Sequence, residues 1–497
     1  MIISPNKKDF FSIFNILGRL IIGMAFFMLI PLIVAFIRGE MSPFFDFLIG
    51  FSISITVGTL LTIIFPLQDE VGWIHSFFTV SLGWLAFSLL GSVPLYLSSH
   101  FLSFIDAWFD AMSGFSTTGL TLIQDLDHLS YSHNMWRHLT MFIGGQGIIL
   151  ASLSVLTRAN SVALGFYIGE ARQEKILPNV IATARFIWKV SFVYFIVGVI
   201  TFFVILYNQG LSLEKSFFHS MWIFFAAFDT GGFAPQSQNI NYYHSYALEI
   251  ATMIFMVLGA INFNLHFWVW NKSKKELFKN IEIRTFLFTI SAITIVLYFG
   301  FKLSGLGQSQ IMFRKGFYQL ISAHSGCGFT NLSLGELNLF PNLGLLAVIL
   351  GMMIGGAVCS TTGGIKLMRI GIIFKTFFIE IKRWMMPFKA VCKNKFHHLQ
   401  DLILNDKRIK EAYLFFTVFI FTYVIGAIVG MGFGYSPLFA LFESVSAAAN
   451  VGLSVGITNA AMPLTLKLVY IYQMWAGRLE FIAIFVSLGF ILSLFRK

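Results

Sequence analysis

Four short segments of this chain each set a glycine after a small or polar run and before an apolar residue. They read Phe115-Ser-Thr-Thr-Gly119-Leu120, Phe228-Asp-Thr-Gly-Gly232-Phe233, His324-Ser-Gly-Cys-Gly328-Phe329 and Ala448-Ala-Asn-Val-Gly452-Leu453. The glycines are 113, 96 and 124 residues apart. Such a recurring interval points to four repeats, each giving one loop to a common axis. Glycine tolerates backbone angles that Cβ-bearing residues avoid. A ring of four such loops can therefore turn carbonyls toward a dehydrated cation. Helix ends or close helix contacts explain any one of these glycines well, but four aligned ones poorly.

Composition sets the medium. Hydrophobic residues make up 57% of the 497 and charged residues only 11%, against about 25% charged in an average protein. Apolar stretches long enough to cross hydrocarbon as helices are expected near 13–37, 44–66, 72–98, 133–157, 184–207, 245–271, 284–303, 340–375, 411–432 and 464–495. Lys7 and Lys8 precede the first, but its uncharged run is too long for a signal peptide and lacks a cleavage site, so it reads as a retained helix. Cys327, Cys359 and Cys392 give neither a disulfide framework nor metal-ligand spacing.

The net charge of +11 is a topology signal. With a cytoplasmic N-terminus, 25 of the 34 Lys and Arg residues fall in inside segments, including Arg158–Lys189, Lys272–Arg284 and Lys366–Lys410. That is the positive-inside bias, with contact to anionic lipid, and it disfavours a nucleic-acid surface.

Between successive helix pairs lie four segments too short or too polar to span, at 103–120, 213–233, 311–329 and 437–453. Each reads as a half-helix, a glycine loop and a polar return. Such backbone is tolerated in a membrane only where it is buried or lines a wet cavity. The half-helix aims its negative dipole end at the axis, which suits a cation. Asp110, Gln319 and Glu443 stand nine residues before the glycine, and Ser113, Ser322 and Ser446 six before; the second segment has Ile223 and Ala226 there. Asp110 and Glu443 are expected to anchor pore-helix ends by hydrogen bonds.

Gly355–Gly364 holds four glycines and three hydroxyl residues inside an otherwise spanning stretch, a poor helix; close helix packing through small residues is the rival. Arg478 and Glu480 are ionisable groups deep in a span, which is costly and usually functional; a buried pair serving structure alone is the other reading. Asp125, Asp127 and Asp229 are candidates for an electronegative outer mouth, with a solvated loop the alternative. His324 reads as a packing residue. No P-loop or G-x-G-x-x-G is present, so ATP hydrolysis is not expected.

These segments, together with Trp136-Arg137, Gly144-Gly-Gln-Gly-Ile148, Gly355-Gly-Ala-Val-Cys-Ser-Thr-Thr-Gly-Gly-Ile-Lys366 and Gly477-Arg-Leu-Glu480, resemble the Trk/Ktr/HKT superfamily of potassium transporters, and most of all the bacterial Trk membrane subunit. The resemblance covers nearly everything from Val71 onward. It implies an all-α polytopic membrane protein of about ten spanning helices, with four re-entrant pore loops in pseudo-fourfold repeats. The divisions would be a two-helix region at 1–70, then repeats at 71–183, 184–283, 284–410 and 411–497.

The filter residues it implies are Thr117, Thr118 and Gly119; Thr230, Gly231 and Gly232; Gly326, Cys327 and Gly328; and Asn450, Val451 and Gly452. Potassium would be the transported ion at their carbonyls, with no covalently bound cofactor. In the family a serine at the first glycine marks sodium-preferring plant relatives, so Gly119 favours potassium. The implied gate comprises Gly355, Gly356, Ser360, Thr361, Thr362, Gly363 and Gly364, with Arg478 facing the pore. A homodimer in the inner (plasma) membrane, both termini cytoplasmic, and a nucleotide-binding cytosolic regulatory subunit docked near Lys366–Lys410 complete the expectation. A sodium-permeable or sodium-coupled member of the family is the alternative. A membrane enzyme acting on lipid is a remote one, because the eleven histidines are scattered and the repeated element is glycine.

Overall fold

A glycine in each of the first two helices lets their backbones touch. A Cβ on Gly18 would fall 2.6 Å from Gly58 O, and one on Gly58 2.8 Å from Gly18 O, the close approach that small residues allow between membrane helices. This computed structural model describes residues 7–67, 72–147, 168–170, 180–271, 274–304, 312–387 and 394–495.

Among the described residues six helices are long and apolar enough to cross a membrane: Lys8–Arg38, Met41–Ile64, Trp73–Leu97, Ala182–Asn208, Ile281–Leu303 and Asp406–Gly432. The first two form the N-terminal pair. The other four each precede a short pore helix, at Phe104–Phe115, Leu213–Phe228, Phe317–His324 and Pro437–Ala448. Large side chains line the outside of these long helices, as Phe192, Ile196 and Ile200 do at helical spacing. In water that stripe would be a liability; in lipid it is the expected outer face.

Three of the helices returning from the glycine segments are interrupted within the described residues. Tyr246–Ala260 bends by 98° into Phe263–Asn271, and Leu464–Arg478 by 105° into Ile482–Ser493. Both stretches, 245–271 and 464–495, read from sequence as single membrane helices. Asn342–Ile354 stops at Gly355 and the chain resumes as helix at Leu367–Trp384, an interruption the glycine content foretold. The helix expected at 133–157 runs Tyr131–Gln146, and 148–157 lie outside the described residues.

Aromatic residues fill the space behind the pore helices. Trp136 is fully buried and donates its indole N–H to Gly91 O at 2.8 Å, while its ring meets Phe115 edge-on. Beyond the spans, Lys395–His398 and Gln400–Ile403 pair as a small antiparallel hairpin. Nothing in the sequence reading anticipated it.

Candidate functional site

Each pore helix ends in the same backbone figure. The residue two before the glycine takes a positive φ: Thr117 at 54°, Thr230 at 52°, Gly326 at 71° and Asn450 at 55°. The glycine itself does so at 93°, 75°, 86° and 93° for Gly119, Gly232, Gly328 and Gly452. Between them the N–H of Thr118, Gly231, Cys327 and Val451 returns to the carbonyl five residues earlier at 2.8 to 2.9 Å. The helix C-termini thus finish around one centre, with their dipole ends inward.

The four segments close into a ring. A Cβ on Gly119 would fall well under 3.0 Å from Gly231 O, one on Gly232 from Cys327 O, one on Gly328 from Val451 O, and one on Gly452 from Thr118 O. Each glycine therefore abuts the next repeat's carbonyl, and the fourth returns to the first. On one side of the ring lies a vestibule of about 410 Å³. All four glycines line it, with Thr121, Thr330, Ser454 and Asn239. Among the described residues no three His, Cys, Asp or Glu side chains converge on a metal site; backbone oxygens are what this ring offers an ion.

A polar clasp braces three of the four loops. Asp110 accepts from Thr121 Oγ1 and from Arg137 Nε at 2.9 Å. Gln319 donates to Thr330 Oγ1 at 2.6 Å. Glu443 accepts from Ser454 Oγ, from Val455 N at 2.9 Å, from Ile457 N at 3.2 Å and from Thr458 Oγ1 at 2.8 Å. Each clasp joins residues eleven apart, across the glycine. The second repeat has Ile223 and Ala234 at these places, both buried, so there the brace is apolar. Ser113 and Ser446 accept from the N–H of Gly119 and Gly452 at 2.9 and 3.0 Å.

Beneath the ring, opposite the vestibule, lies the 355–366 loop. The Thr361 hydroxyl is 3.1 Å from Phe228 O, 3.0 Å from Gly259 O and 3.0 Å from Thr230 Oγ1. Thr361 O receives Arg478 Nη1 at 2.6 Å, and that nitrogen also reaches Thr117 Oγ1 at 3.2 Å. Arg478 Nη2 donates to Gly144 O at 2.6 Å. Gly363 packs against Ala449 O. A cavity beside Ser360, Thr362, Lys366, Arg478 and Glu480 measures about 20 Å³, room for about one water. Gly355 and Gly364, with φ of 70° and 80°, let the two ends of the loop lie against each other, and Gly356 abuts Ala260 O.

Several expected placements change. Asp229 does not reach the mouth: it ends the second pore helix, is fully buried, and accepts from Gln146 Nε2 at 2.6 Å. Asp127 is held by Ser237 through its N–H at 2.8 Å and its hydroxyl at 2.6 Å. Asp125 is exposed beside His128, whose hydrogen bond lowers its pKa. None of the three lines the vestibule. Arg478 and Glu480 do not pair with each other; Glu480 binds Arg369, with Lys366 3.9 Å away. The helix ends at Arg478, and Glu480 lies in the turn after it with a φ of 47°. His324 packs on Phe286 and lies 2.7 Å from Thr289 Oγ1. The Cys327 thiol donates to Ala226 O at 3.3 Å. Sequence reading passed over Arg369, three residues after Lys366, and Glu282, an acid in the first turn of a spanning helix.

The TrkH family model, described as a cation transport protein, matches residues 44–492. The chain is 32% identical over 481 residues to an uncharacterized cation transporter of Methanocaldococcus jannaschii, covering 97% of this chain and 95% of that one. Over 494 residues it is 28% identical to the Trk system potassium uptake protein TrkH of Escherichia coli K12, covering 96% and 98%. It also matches the crystal structure of the potassium transporter TrkH from Vibrio parahaemolyticus, with a TM-score of 0.81 and 25% identity over 96% and 98% of the two chains. The chain is thus a multi-pass membrane transporter subunit rather than an enzyme, and belongs to the TrkH family of cation transport proteins.

Proposed function

We propose that this subunit conducts potassium into the cell through the ring of four glycine segments. The observation that carries this reading is the closed cycle of glycine-to-carbonyl contacts from Gly119 through Gly232, Gly328 and Gly452 back to Thr118. It sets backbone oxygens at the ends of four inward-pointing pore helices, with the vestibule above them. Thr117–Gly119, Thr230–Gly232, Gly326–Gly328 and Asn450–Gly452 would replace the hydration shell of the ion. Divisions near 71–183, 184–283, 284–410 and 411–497 would be its four repeats.

The loop from Gly355 to Gly364 serves as the gate, held by Thr361 and Arg478 below the ring. The Arg478 guanidinium also sets a positive charge where an ion would leave the filter, which shortens its stay. On this reading the vestibule faces outward and the hairpin and both termini face the cytoplasm. Two copies of the chain form a homodimer in the plasma membrane, and a nucleotide-binding cytosolic subunit docks on the basic 366–410 region.

The test is rubidium-86 uptake into proteoliposomes, competed with potassium, sodium and lithium, for the native chain and Gly119→Ser. The reading expects block by potassium, none by sodium, and relaxed discrimination in the variant. Equal block by sodium would favour a sodium-permeable transporter of the same family.

A further inference from the structure

One buried carboxylate outside the ring gathers three separate elements. Glu282, 1% exposed, stands in the first turn of the Ile281–Leu303 helix. Its Oε1 accepts from the N–H of Val358, within the 355–366 loop, at 2.7 Å. Its Oε2 accepts from Asn262 Nδ2 at 3.2 Å, where the second repeat's returning helix bends. His398 Nδ1 lies 3.8 Å from that same Oε2 and 3.3 Å from Oδ1 of Asn280. Asn280 in turn caps the helix that carries Glu282, accepting from its N–H at 2.9 Å.

A first-turn acid ordinarily serves the helix dipole from the solvent side. Glu282 is instead taken out of water, which is costly unless its oxygens are satisfied, and one of the donors that satisfy it belongs to the loop. His398 comes from the 395–403 hairpin, which is itself well seated. Phe396 packs against Ile372 and Ala412, and Glu276 accepts from Leu399 N at 3.1 Å and lies 3.0 Å from His397 Nε2. The hairpin and the loop are therefore two side chains apart.

We infer that Glu282 is a positioning residue that holds the loop beneath the ring, and that the hairpin, through His398, sets how firmly it does so. The inference rests on the reading of the loop as the gate. A load on the hairpin then reaches Val358 through the first turn of the Ile281–Leu303 helix.

Cys359, adjacent to Val358 and 3% exposed, is a native reporter of loop position. The experiment labels the full-length protein in proteoliposomes with a membrane-impermeant, cationic methanethiosulfonate. Labelling of the Cys359 peptide is read by mass spectrometry, with rubidium-86 flux measured in parallel. Losing a hydrogen bond to a charged group predicts that Glu282→Ala raises the Cys359 labelling rate about tenfold, with flux rising too. Glu282→Gln keeps one acceptor oxygen for the Val358 N–H but loses the charge and the acceptor for Asn262, so its rate should fall between those of the native protein and Glu282→Ala. His398→Ala should raise labelling about threefold, and it carries the test alone should Glu282→Ala fail to fold. Unchanged labelling in well-folded variants overturns the inference. Raised labelling with unchanged flux sustains the anchor and overturns the reading of the loop as a gate.

Discussion

Gly452 and Thr118 lie 334 positions apart in the chain, yet the Cα of one sits against the carbonyl oxygen of the other, so closely that no Cβ fits between them. This contact joins the fourth glycine segment to the first and completes the ring. Gly452 also holds a φ of 93°, so a substitution there meets both strain and collision.

Gly452→Ala should therefore lower stability by about 1–3 kcal/mol through overpacking and widen the ring. Competition of rubidium-86 uptake by sodium would then strengthen about tenfold, as a relaxed filter requires. Thermal unfolding in detergent separates the stability effect from the selectivity effect.

The clasp across the first loop is the most exacting. Asp110 and Arg137 are both at most 1% exposed and bonded to each other. Asp110→Ala leaves the guanidinium buried without its carboxylate and should cost about 3–5 kcal/mol. Removing Gln319 should cost about 1 kcal/mol, since its clasp is neutral. Melting temperatures of the two variants, compared side by side, check the order.

Thr361→Val keeps the shape of the side chain but deletes the hydroxyl that meets Phe228 O, Gly259 O and Thr230 Oγ1. Buried acceptors left unpaired cost about 1–3 kcal/mol, and the loss falls on the loop's seated position. The basal rubidium-86 flux should rise about tenfold or more. A fall in flux with an intact fold would count against the loop as a barrier.

The hairpin should respond to pH. Hydrogen bonds donated to Asp401 and then to Glu276 raise the His397 pKa above 6.5. A raised value means that the charged ring's contribution is complete below the unfolded value and is lost as pH rises through the folded one. Hydrogen exchange in residues 395–403 should accelerate as pH rises above 6.5 and through the raised folded value, beyond the intrinsic base catalysis. His397→Ala should remove that extra acceleration.

The helix interruptions show where sequence reading reaches and where it stops. At Gly355 the glycines announce the break, because a glycine-rich run is a poor helix in any setting. At Ala260-Ile261-Asn262 nothing local does so. That break is held by distant partners: Ala357 N–H on Ala260 O at 2.9 Å, Thr361 N–H on Gly259 O at 3.3 Å and Phe263 N–H on Cys359 O at 3.2 Å. Glu480 and Phe481 likewise take positive φ of 47° and 64° beside the bond from Arg369 to Glu480. The placing of Asp229 failed for a similar reason. Its position three before the glycine reads as loop, whereas the pore helix runs on to Phe228 and turns the side chain inward beneath the ring. Repeating backbone features leave a signature in spacing; cross-chain hydrogen bonds leave none.

The central claim is that the four glycine segments hold a dehydrated cation on their common axis. Its most direct test is a crystal structure of the protein in rubidium or thallium, with anomalous scattering used to find the ion. The account predicts a peak on the axis between the vestibule and Thr361, coordinated by backbone oxygens from all four segments. A well-ordered ring without such a peak, or an ion bound by side chains elsewhere, would contradict it.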